Sequence, residues 1–368
     1  MRIGIDAHFV GIRHGGNEIH FENLIRQFAG RPGNGDQYFV FTHPLAARDG
    51  LPGERLQLVP LASRSVYWQR AVEIPLYSRR LQLDVLHVPF NFLPVFRCRK
   101  VVTIHDLAFL HVPEWFTPLE RARMTVLTPL AARRADHVCT VSSFCKQEIA
   151  ERYRLPAERI TVTPSAADRR VFRPLSPEER GEALARLGLH CRFMLFVGTL
   201  QPRKNVRTLL EAYDRLRQSG RLGGIHMVLV GRKGWYFEEL FDFIRERALG
   251  ACVHHFKDVD RQTLAALYGS ATAFVLPSRF EGLGLPVLEA MSCGCPVISS
   301  NAAALPEVCG DAALMFDPRD SEALAAQLDR VVNDGALRGE LVRRGFANCD
   351  RYSWERTAAA VEAVYHSL

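Results

Sequence analysis

Pro277-Ser278-Arg279-Phe280-Glu281-Gly282-Leu283-Gly284-Leu285-Pro286-Val287-Leu288-Glu289-Ala290-Met291 follows one apolar run, 272–277, and opens a second, 284–293, whose spacing is helical. A third apolar run follows at 297–300. Strand, loop, helix and strand in that order form the repeating unit of a parallel sheet covered by helices. Two glycines, Gly282 and Gly284, stand where the backbone turns into the helix. Glycine lets backbone N–H groups come close to a ligand, and a helix N-terminus attracts phosphate.

Upstream the alternation continues. Strands are predicted at 193–198, 227–231, 253–256 and 272–277, with helices at 205–217, 236–248 and 260–269 between them. The first half repeats the pattern, with strands at 2–6, 38–42, 56–60, 85–88, 101–105, 137–141 and 160–163. Helices are expected there at 17–28, 67–81, 118–134 and 143–153, with Ser143 as N-cap of the last. Residues 168–177 break both periodicities, carry two prolines and read as a linker. After 300, two or three helices finish the chain, the last over 353–366. The expected fold is α/β, two Rossmann-like doubly wound parallel-sheet domains facing a cleft. The domains span 1–170 and 171–352, with 353–368 as a final helix. Such sheets bind ligands at the carboxyl ends of their strands.

The loop 277–284 and its helix also carry chemistry. Glu281 and Glu289 stand eight residues apart, one at the loop and one about a turn into the helix. As an isolated pair they would read as a helix cap and a solvated carboxylate. Glu289, however, lies in Leu-Glu-Ala-Met, and burying a carboxylate there without a partner would be costly. A phosphate cradle with two hydroxyl acceptors is what a nucleotide sugar requires. Arg203 and Lys204, in Gln201-Pro202-Arg203-Lys204-Asn205, are placed at a helix start, where cations oppose the macrodipole. That placement makes sense if an anion lies between.

These three segments, Glu-x7-Glu at 281–289, Pro-Arg-Lys-Asn at 202–205 and Gly-Cys-Pro-Val at 294–297, resemble family 4 of the retaining glycosyltransferases, which have the GT-B fold. The resemblance implies that Glu289 binds the donor ribose, that Glu281 contacts the sugar, and that Leu283, Gly284 and Leu285 lie near sugar and phosphates. It also implies that Arg203 and Lys204 neutralise the leaving diphosphate, with Gly198 and Thr199 beside the donor. In the first half, Gly15 and Gly16 match the family's glycine loop. His105, before Asp106, matches its active-site histidine. Many members carry Arg where this chain has Thr199, so Arg203, Lys204 or Arg232 must supply the phosphate contact. The implied activity is transfer of a hexose from a nucleotide sugar to a glycan or lipid-linked saccharide, mannose from a GDP-sugar first. An epimerase or hydrolase on the same architecture is the alternative.

Composition fits this reading. Of 368 residues, 48% are apolar and 24% charged, as in folded globular chains. Residues 1–174 carry a net +8 and the remainder −1. That basic half, with Arg121, Arg123, Arg133 and Arg134 on one helix, suits peripheral contact with anionic membrane. Nucleic acid is not an expected partner, since no recognised module appears. Nine scattered cysteines, an odd number, and no signal-peptide layout point to the cytoplasm. No metal or other cofactor is expected. Cys293 and Cys295 lack a second ligand pair, and Asp260 of Asp258-Val259-Asp260 reads as an N-cap. No Gly-x-Gly-x-x-Gly follows the first strand, which argues against a dinucleotide-dependent dehydrogenase.

Overall fold

A computed structural model describes residues 1–11, 16–31, 35–43, 55–90 and 97–368. The chain forms two units, Met1–Ser165 with Trp354–Leu368, and Ala166–Ser353.

The first unit is built on seven strands, β1 (Arg2–Ala7), β2 (Gln37–Thr42), β3 (Leu56–Pro60), β4 (Val85–Pro89), β5 (Arg99–Thr103), β6 (His137–Thr140) and β7 (Ile160–Val162). All pairings are parallel, in the order β3-β2-β1-β4-β5-β6-β7. The strands are short apolar runs because helices cover both faces. One face packs Phe39, Leu86 and Val102 against Ile149 and Ala132. The other packs Ile3, Ile5 and Val85 against Phe21, Leu24 and Phe28. Helix Trp354–His366 joins the second face through Ala358, Val361 and Tyr365. Its polar ties are as specific as its packing. Tyr38 donates to Glu362 at 3.0 Å, Arg31 pairs with Glu362 at 3.0 Å, and Thr357 donates to the Pro164 carbonyl at 2.6 Å.

The second unit holds six strands, β8 (Phe193–Val197), β9 (His226–Val230), β10 (Val253–Phe256), β11 (Ala273–Leu276), β12 (Val297–Ser300) and β13 (Ala313–Phe316). They too are all parallel, in the order β10-β9-β8-β11-β12-β13. Helix Val206–Gln218 shows how the sequence directs this layer. Val206, Leu209, Leu210, Tyr213 and Leu216 recur at helical spacing and are buried, each adding about 1.5–3 kcal/mol of burial.

Several local expectations need correction. Ser142, not Ser143, caps helix Ser143–Tyr153, its side chain accepting from the Cys145 amide. The helix expected over 67–81 is broken into Val66–Trp68, a π-turn at Gln69–Glu73 and Ile74–Arg80, with Pro75 in the first turn of the last piece. The linker expected over 168–177 runs into helix Pro177–Arg186, which starts at its final residue. That helix begins with a capping box in which Ser176 accepts from the Glu179 amide and Glu179 accepts from the Ser176 amide. Strand β13 was not expected. Asp260 does cap helix Arg261–Ser270, accepting from the Thr263 amide at 2.8 Å.

Candidate active site

In a doubly wound sheet the order reverses at one point, and there neighbouring loops diverge to leave a crevice. In the second unit that point lies between β8 and β11. The loop after β8 carries Gly198, Thr199, Arg203 and Lys204; the loop after β11 carries Ser278, Glu281, Leu283 and Gly284. The two motifs singled out in the sequence, 77 residues apart, are therefore neighbours at one switch point.

Their meeting is an ion-pair cluster. Lys204 Nζ lies 2.6 Å from Glu281 Oε1, and Arg203 Nη1 lies 3.0 Å from Glu281 Oε2. Ser278 Oγ donates to Glu281 Oε1 at 2.6 Å, and Arg203 Nη1 also donates to the Phe280 carbonyl at 2.7 Å. Burial alone would raise the Glu281 pKa. The charges of Arg203 and Lys204, with hydrogen bonds from Lys204 and Ser278, bring it down to about 2. The cluster of two cations and one carboxylate is therefore net +1 at neutral pH.

One sequence argument changes here. Arg203 and Lys204 do not open helix Val206–Gln218. They sit in a short 3-10 turn, Pro202–Lys204, ended by Asn205 at φ +56°. The anion that offsets them in this structure is Glu281. Asn205 holds the arrangement by donating to the carbonyls of Pro277 at 3.0 Å and Pro318 at 2.7 Å.

Glu289 lies on helix Leu285–Ser292 and is buried. Tyr268 donates to its Oε2 at 3.2 Å. Burial pushes the Glu289 pKa up to about 7, against the Tyr268 hydrogen bond and the charge of Arg261. Leu285 is the first residue of that helix, and Leu283 is buried beside it. Gly284 caps the helix at φ +90°, and a Cβ there would stand 2.6 Å from Leu305 Cδ2. Only glycine fits. Thr199 is exposed, and Gly198 follows β8, its amide donating to the Val230 carbonyl at 2.9 Å. Arg232 pairs with Asp258 at 3.0 Å.

In the first unit His105 follows β5. Its ring lies 5.0 Å from His20 and 5.7 Å from Phe90, and its buried Nε2 has no hydrogen-bond partner among the described residues. Burial lowers its pKa to about 4. It is a neutral imidazole at neutral pH. Asp106 accepts from the Ala108 amide at 3.0 Å and shapes the turn behind it. Gly16 begins helix Gly16–Gly30 and is exposed. Gly15 lies outside the described residues.

Four residues escaped the sequence reading. Ser278, three before Glu281, was visible as a local partner. Tyr268 was not, because 21 residues separate it from Glu289. Asp6 and His8 pair at 2.6 Å at the carboxyl end of β1, with Arg70 Nε 3.7 Å from Asp6. A buried polar pair two residues apart at a strand end was the available signal.

Two doubly wound parallel units, one with a basic cluster and a buried carboxylate at its switch point, define a glycosyltransferase of the GT-B class. Comparison with known proteins places the chain further. Residues 14–170 match Glycosyltransferase Family 4, and residues 189–347 match Glycosyl transferases group 1. O-antigen chain mannosyltransferase B of Escherichia coli is 35% identical over 286 residues, covering 77% of this chain and 74% of that protein. MMP alpha-(1->4)-mannosyltransferase of Mycolicibacterium hassiacum is 31% identical over 260 residues, 68% of this chain and 59% of that protein. Among solved structures, sucrose-phosphate synthase from Thermosynechococcus elongatus is similar at TM-score 0.79 and 21% identity, over 100% of this chain and 98% of that one. Anabaena HepE in complex with UDP-glucose is similar at TM-score 0.79 and 18% identity, over 100% of both chains. These structures speak to fold. The chain belongs to glycosyltransferase family 4 and is a hexosyltransferase.

Proposed function

We propose that the chain transfers mannose or a related hexose from a GDP-sugar, with retention of configuration, to a glycan or lipid-linked saccharide in surface-polysaccharide synthesis. The reading rests most on the Arg203–Lys204–Glu281 cluster at the β8/β11 switch point. The similarity to the O-antigen mannosyltransferase of Escherichia coli supports the sugar and the kind of acceptor.

In this reading the bond from the sugar C1 to the diphosphate oxygen breaks as the acceptor oxygen bonds C1 on the same face. The acceptor proton passes to the departing phosphate. Arg203 and Lys204 offset the charge that develops on that phosphate, and one such preorganised donor is worth about 3 kcal/mol. Glu289 accepts from the ribose hydroxyls, and the helix start at Gly284–Leu285 faces the phosphates. His105 offers its ring nitrogen to a substrate hydroxyl. The scheme requires no metal or other cofactor.

The reading places the protein in the cytoplasm, with peripheral contact at anionic membrane. Arg121, Arg123, Arg133 and Arg134 are all exposed on helix Pro118–Arg134, beside exposed Leu119 and Val126. Among the described residues no helix is long and apolar enough to cross a membrane.

The test is nucleotide release across GDP-, UDP-, dTDP- and ADP-sugars, with and without crude lipid-linked acceptor, with Glu289→Ala as control. Acceptor-dependent release from a GDP-hexose, lost in the variant, supports the proposal. Equal release without acceptor would instead mark a hydrolase or epimerase, and release from another donor would replace the GDP assignment.

A further inference from the structure

The amino ends of strands in a doubly wound sheet ordinarily carry packing and turns, not chemistry. In the second unit this end carries a thiol and two imidazoles close to one another. The register pairs His226 with Phe193, and Met227 with Val253. Side chains alternate along a strand, and paired residues share a face. Cys191, two before Phe193, therefore falls on the face of His226. So do Cys252, which follows His226 across the β9/β10 pairing, and His254, two further on. The register thus sets two thiols, just before β8 and β10, and two imidazoles, on β9 and β10, on one face.

Three of these four side chains converge. One ligand atom from each of Cys191, His226 and His254 lies within 4.8 Å of the others. His226 Nδ1 and His254 Nε2 face each other at 2.8 Å, in rings inclined by only 7°. Two imidazole nitrogens at that distance share a single proton, and a divalent cation can replace it. Tetrahedral zinc at about 2.0–2.1 Å from each nitrogen sets the pair about 3.3 Å apart, a widening of about 0.5 Å. All three side chains are only partly buried, so a cation has access.

We propose that Cys191, His226 and His254 bind a borderline-soft divalent transition cation such as zinc. Thiolate with two imidazoles selects this class over magnesium or calcium, which take oxygen ligands. The fourth position falls to water, since the Cys252 thiol donates to the Leu249 carbonyl at 3.3 Å and is not among the converging ligands. The ion clips β8, β9 and β10 together at the end opposite Gly198 and Glu281. It acts on the cohesion of the sheet and takes no part in sugar transfer.

Cobalt is the probe, because a thiolate bound to it gives a charge-transfer band and tetrahedral coordination gives strong visible absorption. Metal-stripped full-length protein is titrated with Co²⁺. The expected result is one equivalent bound with both absorptions, displaced by zinc. Cys191→Ser should abolish the charge-transfer band, and His254→Gln should weaken cobalt binding about tenfold or more. Far-UV circular dichroism of both variants confirms the fold. No charge-transfer band at one equivalent, or a band that survives Cys191→Ser, overturns the site.

Discussion

Lys204 Nζ and Glu281 Oε1 stand 2.6 Å apart although 77 residues separate them. The basic loop after β8 is thus held by the acidic loop after β11. Two cations share one buried carboxylate, so the cluster keeps a net charge of +1.

Removing Lys204 should damage turnover more than folding. Arg203 and Ser278 still satisfy Glu281 in Lys204→Ala, so circular dichroism should be unchanged. Turnover at saturating donor should fall about a hundredfold, the loss of about 2.7 kcal/mol of charge stabilisation. Near-normal turnover would remove the proposed role.

Donor binding should depend on pH through Glu289, which burial raises to about 7. Ribose hydroxyls donate to a carboxylate better than to a carboxylic acid. Donor Kd should therefore improve by up to about tenfold from pH 6 to pH 8. Glu289→Gln should flatten the curve. Tyr268→Phe, by removing the bond that favours ionisation, should move its midpoint upward. A wild-type Kd flat with pH would count against Glu289 as the ribose acceptor.

Acid should loosen the first unit through its histidines. Burial lowers His20 well below its ordinary value, His87 to about 3 and His105 to about 4. The unfolded chain binds these protons from about pH 6.5 downward, while the folded one does not. Stability present above pH 6.5 is therefore lost as pH falls toward 4, at up to about 1.4 kcal/mol per pH unit for each group. Urea unfolding across that range should show the slope. His87 bridges Tyr365 at 2.6 Å and Thr103 at 2.7 Å, so His87→Gln should reduce it.

Gly284→Ala should cost about 1–3 kcal/mol in urea unfolding, because it forces φ +90° on a residue with a Cβ and presses on Leu305. A neutral substitution would show that the loop relaxes.

The proposed contact with membrane should be electrostatic. Binding to vesicles rich in anionic lipid should fall steeply between low and physiological salt. Arg121→Glu with Arg123→Glu should weaken it; binding indifferent to both would argue against a basic footprint.

The sequence disclosed periodicity and local chemistry well. Apolar runs such as 193–198 could only be strands covered on both faces, and Glu281 announced itself beside two glycines. What it hid were relations across distance. Nothing local couples Tyr268 to Glu289, or makes Glu281 the counter-ion of Arg203 and Lys204. Capping residues such as Ser142 and Ser143 are chemically alike, and only backbone geometry decides between them. The cluster of Cys191, His226 and His254 was missed because its members are spaced by strand pairing rather than by any motif.

Helix Trp354–His366 completes the first unit although 188 residues of the second come between. On the ribosome, therefore, the second unit can close while the first still waits for its final layer. At about 5–20 residues per second that wait lasts on the order of 10–40 s. Throughout it, Phe28 and His87 lack the Tyr365 ring and Tyr38 lacks the Glu362 carboxylate that they meet in the complete fold. A stop codon before Trp354 should therefore yield a chain whose second half folds and whose first half aggregates.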